Sequence, residues 1–170
     1  FSKIESGKLE LNIEEINLFK LTNQVINLFK YQADLKKIDL ILDINKSIPQ
    51  YILADSVRLK QILVNLLSNA IKFTNFGEIR LDITEIETVE KKWSTIMFSV
   101  KDTGVGIPEE IRDKVFEAFF TTKQKVKGVG LGLSVCYGIV KDHGGEIKLE
   151  SEVERGTTFT IRLPVSQTAS

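Results

Sequence analysis

The sequence predicts an α+β fold, a two-layer α/β sandwich in which helices cover one face of a mixed, mostly antiparallel sheet. One indication is a pair of hairpins whose apolar and polar residues alternate, a pattern typical of half-buried strands. The other is a set of helical segments that each carry one apolar stripe. Antiparallel hairpins beside such helices favour a sandwich over a doubly wound sheet. The hairpins pair residues 77–88 with 93–102 and residues 146–151 with 157–163, and the main helices cover residues 17–37, 59–74 and 131–143.

The N-terminal half alternates short strands with two of these helices. Residues 1–7 are typical of the last turn of a helix. Asn17 is a suitable N-cap for the first long helix, and Asp55 or Ser56 for the second. The predicted inner face of the first helix carries Leu18, Leu21, Val25, Leu28 and Phe29. The predicted strands of this half are residues 8–16, 40–45 and 51–54.

The C-terminal half adds one short helix, a loop and the last long helix. Pro108 suits the first position of the short helix, which extends to residue 116. Residues 117–127 have weak periodicity and predict a loop. Gly144 and its neighbour Gly145 end the last helix. We expect residues 166–170 to form a polar tail.

Composition limits the classes of function. A chain of 170 residues with 42% hydrophobic residues is long enough for one domain with a core. Its 23 basic residues balance 23 acidic ones, which argues against a nucleic-acid surface held by bulk charge. The single Cys136 excludes an internal disulfide and is predicted to be a small buried hydrophobe. Because the chain starts at Phe1 without Met, we expect it to be part of a longer protein.

The most informative segment is the helix LKQILVNLLSNAIKFT, which places Asn65, Asn69 and Lys72 on one stripe. Two carboxamides one turn apart beside an amine suit a metal ion and the phosphates that it carries. The alternative is a solvated polar face. The predicted core side of the helix carries Leu59, Leu63, Leu66, Leu67 and Ala70.

Two glycine-rich segments follow in the order that such a site needs. In DTGVGIP, Asp102 ends a strand, and Gly104 and Gly106 allow the backbone to approach a flat ligand. Its carboxylate can accept a hydrogen bond from an exocyclic amine such as that of adenine. Alone, this motif is also typical of an ordinary turn before a helix. In GVGLGL, at residues 128–133, glycines precede a helix N-terminus, where backbone N–H groups favour anions.

The segment between the two glycine motifs combines Phe116, Phe119 and Phe120 with three lysines. A flap anchored by phenylalanines and carrying lysines can close over phosphates. The alternative is a surface loop with a few buried anchors.

The order of asparagine helix, D-x-G-x-G, phenylalanine-rich lid and G-x-G-x-G closely resembles the ATP-binding domain of bacterial sensor histidine kinases. These belong to the gyrase, heat-shock chaperone, histidine kinase and mismatch-repair ATPase superfamily. The resemblance covers residues 8–165 and implies a Bergerat-type fold. Residues 1–7 (FSKIESG) resemble the end of a helix of the kinase dimerisation domain.

The resemblance also implies roles for individual residues. Asn69 is implied as the Mg²⁺ ligand, Asp102 as the acceptor of the adenine amine, and Thr157 as a neighbour of Asp102 beneath the base. The implied catalytic residues are Asn65, Lys72 and Lys123. The implied nucleotide contacts are Asn65, Asn69, Lys72, Phe73, Asp102, Gly104, Gly106, Ile107, Phe116, Phe119, Thr122, Lys123, Gly128, Gly130, Leu131, Gly132, Leu133 and Thr157.

Position 65 favours transfer of phosphate over hydrolysis. Hydrolysing members of the superfamily carry a Glu one turn before the Mg²⁺ asparagine, and this sequence carries Asn65, whose amide is no general base near neutral pH. The resemblance therefore implies a kinase that transfers the γ-phosphate of ATP, with Mg²⁺, to a histidine outside this chain. His143 precedes two glycines at a helix end, so we expect it to be structural.

The resemblance implies two partners: the dimerisation and phosphoacceptor domain of the same protein, and a downstream response-regulator receiver domain. We expect a monomeric, cytoplasmic fragment that contacts neither nucleic acid nor membrane, although its parent protein can be anchored in the inner membrane. The alternatives are an ATPase clamp of the same superfamily, a degenerate ATP-binding or docking module, and a serine or histidine kinase outside two-component signalling.

Overall fold

A mixed β-sheet forms one layer of the structure, a computed structural model that describes residues 4–5, 8–9, 11–86, 93–116 and 129–167. The described strands are β1 (Ile4–Glu5), β2 (Lys8–Leu9), β3 (Glu14–Asn17), β4 (Asp39–Ile44), β5 (Tyr51–Ala54), β6 (Glu78–Ile86), β7 (Trp93–Asp102), β8 (Glu146–Glu152) and β9 (Gly156–Gln167). The described helices are α1 (Leu18–Lys36), α2 (Ser56–Phe73), α3 (Val129–Asp142) and a 3₁₀ helix (Glu109–Lys114).

The strands of the main sheet follow the order β3, β5, β9, β7, β6, β4, and β8 pairs with the edge of β9 that β5 also uses. Among the described pairs of this sheet, β4 and β6 are parallel and the others are antiparallel. The predicted sandwich with a mixed, mostly antiparallel sheet is thereby confirmed. The register sets Asp102, at the end of β7, opposite Thr157 of β9.

Side chains on one face of the sheet alternate with exposed or half-exposed neighbours and pack beneath the helices. Burial of this apolar face is the main favourable contribution to folding. The buried hydrophobic residues of the three central strands are Ile79, Leu81, Ile83, Ile96, Phe98, Val100, Phe159, Ile161, Leu163 and Val165. The helices contribute the predicted core side of α2, with Leu59, Leu63, Leu66, Leu67 and Ala70 all buried.

Helices α1 and α2 begin at the N-cap residues that the sequence predicts. The Asn17 carboxamide oxygen accepts the Lys20 N–H at 3.0 Å. The Asp55 carboxylate accepts the Arg58 N–H at 3.0 Å and, through its other oxygen, the Asn12 N–H at 2.9 Å. Each cap satisfies a backbone donor that the first helical turn leaves without a partner.

Three predictions for the N-terminal half were wrong in detail. Ile4–Glu5 pairs with Lys8–Leu9 as a two-stranded ladder, where the sequence predicts the end of a helix. An isolated helix this short is only marginally stable, so the two short strands form instead. The predicted strand at residues 8–16 is interrupted at 11–13. Leu28 lies at the edge of the buried stripe of α1 and is 60% exposed.

Three boundaries in the C-terminal half also differ from the prediction. Pro108 precedes a 3₁₀ helix rather than opening an α-helix, and the Ile111 N–H donates to its carbonyl at 3.1 Å. α3 begins at Val129, two residues before the predicted start. The predicted polar tail is wrong at residues 166–167, which continue β9 and pair with β5 and β7. Tertiary pairing extends this strand beyond its apolar alternation.

Candidate functional site

The Asp102 carboxylate is the buried acidic group at the centre of the candidate site. Its Oδ1 accepts the Gly104 N–H at 2.9 Å and the Thr157 N–H at 3.3 Å. Burial raises the pKa of Asp102, and the backbone hydrogen bonds from Gly104 and Thr157 partly oppose this effect. Because the hydrogen bonds described for this carboxylate fall on Oδ1, Oδ2 is available to an outside donor such as an aromatic amine.

The glycine loop after Asp102 passes so close to its neighbours that side chains do not fit. A Cβ on Gly104 would lie 2.4 Å from the Phe73 carbonyl oxygen. Gly106 has a φ of +76°, and a Cβ there would lie 2.2 Å from the Glu152 carbonyl oxygen. Limited space therefore requires glycine at both positions, and the positive φ is a second reason at Gly106.

The asparagine stripe of α2 lies on the side opposite its buried leucines. Asn65 and Asn69 are half-buried and Lys72 is exposed. The Asn65 amide donates to the Cys136 Sγ of α3 at 3.6 Å, a neighbour that the sequence does not indicate. Burial raises the pKa of the Cys136 thiol to about 11, so the thiol stays protonated and unreactive near neutral pH. The predicted burial of Cys136 is confirmed.

The end of α2 is joined directly to the glycine loop. The Val105 N–H donates to the Phe73 carbonyl at 3.2 Å. Thr74, which follows Phe73 in the chain, is fully buried, and its Oγ1 has no hydrogen-bond partner among the described residues. A Cβ on Gly104 would lie 2.9 Å from this oxygen and 3.0 Å from Asp102 Oδ1, so the Thr74 hydroxyl borders the same space as the carboxylate. No motif in the sequence indicates Thr74 as a site residue.

Ser151 is a second residue that sequence analysis did not identify. Its hydroxyl accepts the Ile107 N–H at 2.7 Å and lies 2.9 Å from the Thr157 Oγ1. The hydroxyl therefore ties the loop after Asp102 to the hairpin of β8 and β9. No signal in the sequence distinguishes it from the other polar residues of β8.

Phe116 lies in an aromatic cluster at the edge of the site. Its ring centroid is 5.6 Å from that of Tyr137 and 6.0 Å from that of Phe159, the latter edge-on. This contact agrees with an anchoring role for Phe116. Four other predicted site residues lie outside the described residues: Phe119, Thr122, Lys123 and Gly128.

The second glycine motif lies mostly inside α3. The backbone of Gly130, Leu131 and Gly132 is helical, and Leu133 is buried in the core. These glycines therefore occupy the first turn of α3, whose N–H groups favour anions.

His143 directly follows α3. Its N–H donates to the Ile139 carbonyl at 3.1 Å, and its ring Nδ1 lies 2.8 Å from the same oxygen. This contact with the helix end agrees with the structural role expected for it.

The polar groups described here suit a nucleotide. The buried Asp102 offers an acceptor, and the close packing of Gly104 and Gly106 against backbone carbonyls fixes the course of the loop beside it. Within the described parts of the chain, no cluster of three His, Cys, Asp or Glu side chains is present to hold a metal ion. The half-buried carboxamides of Asn65 and Asn69 offer neutral oxygen donors, which suit a hard cation that also binds phosphate.

Comparison with known proteins decides the family. The signature of the family described as "Histidine kinase-, DNA gyrase B-, and HSP90-like ATPase" matches residues 54–167. The chain belongs to this family. The predicted relationship to the ATP-binding domain of sensor histidine kinases is therefore confirmed.

Individual relatives agree with this assignment. The circadian input-output histidine kinase CikA of Synechococcus elongatus is 38% identical over 96% of this chain, which spans 22% of CikA. Full-length ShkA, solved in complex with AMPPNP, superposes with a TM-score of 0.81 at 32% identity, over 95% of this chain and 33% of ShkA. The nucleotide-free catalytic domain of the histidine kinase ThkA superposes with a TM-score of 0.75 at 34% identity, over 91% of this chain and 96% of ThkA.

The chain thus spans a small part of its curated relatives and nearly all of an isolated catalytic domain. Among the described helices of this ATPase-family domain, none combines the length and apolar character that crossing a membrane requires.

We predict that Asp102→Asn abolishes nucleotide binding while the domain stays folded. The Asn oxygen can keep both backbone hydrogen bonds, but its NH₂ group replaces an acceptor by a donor at the Oδ2 position. Calorimetric titration with AMPPNP measures the loss. Asp82→Asn is the matched control, since Asp82 is half-buried on the sheet face away from the helices and pairs with Arg80.

The same variant tests the direction of the pKa shift. Because the folded-state pKa of Asp102 lies above its ordinary 3.8, the folded protein binds more protons than the unfolded chain between the two values. The contribution of Asp102 to the free energy of unfolding is therefore full below 3.8 and falls as pH rises through the folded pKa. Relative to wild type, Asp102→Asn should gain stability from pH 3 to pH 7 in urea unfolding. A constant difference contradicts the shift.

We predict that Gly104→Ala and Gly138→Ala have opposite effects on stability. The new Cβ at 104 meets the Phe73 carbonyl and should destabilise the domain by about 1–3 kcal/mol and weaken AMPPNP binding. Gly138 lies at an exposed position of α3, and no described atom outside the helix backbone lies within 4 Å of its added Cβ, so Ala should stabilise the helix by about 0.5–1 kcal/mol. Urea unfolding measures both. Equal effects contradict the close approach at Gly104.

Proposed function

We propose that this domain binds Mg-ATP and transfers its γ-phosphate to a histidine of a separate dimerisation domain, as the catalytic domain of a two-component sensor kinase. The observation that carries the nucleotide half of the proposal is the buried Asp102, whose hydrogen bonds to described residues fall on Oδ1, at the start of a tightly packed glycine loop. Membership of the ATPase family and the likeness to ShkA, which binds AMPPNP, support it.

Asn65 favours transfer over hydrolysis. It stands one turn before Asn69, where the hydrolysing members of the superfamily carry Glu. A carboxamide cannot take a proton from water near neutral pH. Its amide group also donates to Cys136, and this hydrogen bond orients the side chain. The domain therefore lacks, at this position, the group that would direct water at the γ-phosphate.

The proposed reaction is an in-line displacement at the γ-phosphorus. A bond forms between an imidazole nitrogen and phosphorus, and the bond to the β–γ bridging oxygen breaks, so that the electron pair leaves with ADP. Such a reaction depends mainly on positioning and charge neutralisation. Asp102 would select and orient the base, and the first turn of α3 would face the phosphates. Mg²⁺, when bound, would neutralise phosphate charge, with Asn69 as its ligand.

The partners follow from the proposed reaction. The chain would act on the dimerisation domain of its own parent protein, and the phosphate would pass to a receiver domain. Relatives named as hybrid signal transduction histidine kinases support this assignment. A cytoplasmic location belongs to the same proposal, since ATP is the substrate.

We predict that Mg²⁺ strengthens AMPPNP binding and that Asn69→Ala removes this increment. The reason is that Asn69 would supply the protein oxygen that shares the ion with the phosphates. Calorimetric titrations with and without Mg²⁺ measure the difference. Asn27→Ala, at an exposed position of α1, is the matched control and should keep the increment. No binding by wild type in either condition would favour the degenerate docking module.

We predict that the isolated domain does not label itself with γ-labelled ATP. His143 is the single histidine of the chain and lies in contact with the end of α3, so it is not placed as an acceptor. Label should enter only an added dimerisation domain that carries the acceptor histidine. Self-labelling would contradict the proposal, and appreciable steady-state release of phosphate would favour the ATPase clamp.

A further inference from the structure

Lys36, the last residue of α1, reaches across to the end of α2. Its Nζ donates to the carbonyl oxygens of Ile71 at 2.5 Å, Thr74 at 3.1 Å and Lys72 at 3.4 Å. The side chain is half-buried, and two of these carbonyls belong to the buried residues Ile71 and Thr74. The three donors of one ammonium group therefore have three acceptors, two on the last turn of α2 and one at its C-cap, Thr74.

These carbonyls are the groups that a helix end leaves without partners. The last four C=O groups of an α-helix have no intrahelical donor, and the end carries a partial negative charge. Lys36 supplies donors and a positive charge for three carbonyls in this turn, and Val105 supplies the donor for the fourth, that of Phe73. The end of α2 is thus held by α1 on one side and by the glycine loop on the other.

The contact continues to the candidate nucleotide site. The turn held by Lys36 carries Lys72 and Phe73, and the Phe73 carbonyl binds the loop at Val105. One residue earlier, the Gly104 N–H donates to Asp102 Oδ1. A shift of this turn would therefore move both the loop and the carboxylate, because Gly104 is packed too closely against Phe73 and Thr74 for the loop to stay in place.

We propose that Lys36 is a positioning residue of the nucleotide site, acting through the C-terminal turn of α2 on the Asp102–Gly106 loop. The inference rests on the proposed ATP-binding function. Lys36 bonds to carbonyls of α2, so its effect on nucleotide affinity is indirect. It places a determinant of the site at the end of α1, outside the motifs that carry the family resemblance.

Three variants distinguish positioning of the end of α2 by Lys36 from a general effect of positive charge on nucleotide binding. Lys36→Met keeps most of the apolar stem and removes the ammonium group. Lys30→Met removes the same charge from an exposed position of the same helix. Lys36→Arg keeps a permanent charge and several donors, although its planar group fits three convergent carbonyls less well.

Two measurements on folded protein, made well below the melting temperature, test the proposal. Lys36→Met should weaken AMPPNP binding about tenfold, roughly the factor of one charge-assisted hydrogen bond. It should also speed amide hydrogen exchange at Val105 about tenfold, with no change at Val100 in the centre of β7. Lys36→Arg should recover part of the affinity, and Lys30→Met should match wild type.

The outcomes that overturn the proposal are distinct. Wild-type affinity in Lys36→Met overturns it and leaves the ATP-binding function intact. Equal weakening in Lys30→Met also overturns it, since charge alone would then explain the loss. If wild type does not bind AMPPNP, the proposed function fails. Amide exchange at Val105 then tests, without any nucleotide, whether Lys36 stabilises the Asp102–Gly106 loop. Faster exchange in Lys36→Met alone supports this role, and unchanged exchange overturns it.

Discussion

Burial of the Asp102 carboxylate is the constraint on which the rest of the site depends. A buried carboxylate is unfavourable unless hydrogen bonds compensate for its lost hydration. Here the compensation comes from the backbone N–H groups of Gly104 and Thr157. The Gly104 bond requires a tight turn directly after β7, and the Thr157 bond requires the register that sets β7 against β9. Loop conformation and strand register are thus linked through one oxygen atom.

The same requirement explains why three separate elements converge on one loop. The end of α2 accepts a hydrogen bond from Val105, the Ser151 hydroxyl of β8 accepts one from Ile107, and Val105 in turn accepts one from Glu154. In each contact the loop contributes a backbone atom, so the contact fixes the course of the loop rather than the chemistry of its side chains. A loop held in this way is preorganised, which reduces the cost of ordering it when a ligand binds.

The three helices contribute to the site in different ways. α2 presents Asn65 and Asn69 from a helix whose other side is fully buried, so their positions are set by the core. α3 meets α2 through Cys136 and Asn65 and offers the N–H groups of its first turn. α1 contacts the end of α2 through Lys36, its last residue. Under the positioning role that we propose for Lys36, nucleotide binding is sensitive to changes remote from the recognisable motifs.

Patterns of period and composition were sufficient for much of this structure. The alternation of residues 93–102 and 157–163 predicted the central strands, and the leucines of α2 predicted its buried side, because burial repeats with the period of each element. Asn17 and Asp55 predicted helix starts through local hydrogen bonds. The motif residues Asp102, Gly104, Gly106 and Thr157 were also singled out in the sequence, and the roles that the family resemblance implies for them stay predictions.

Local sequence patterns thus predicted most of the elements, most of their buried sides and the family motifs. Only the three-dimensional arrangement shows that Thr74 and Ser151 border the site, that Cys136 meets Asn65, and that Lys36 holds the end of α2. The contacts join residues that are far apart in the chain: Lys36 and Ile71 are 35 positions apart, and Ile107 and Ser151 are 44. Such pairings depend on how helices and strands are placed in space, and no local pattern of spacing records them.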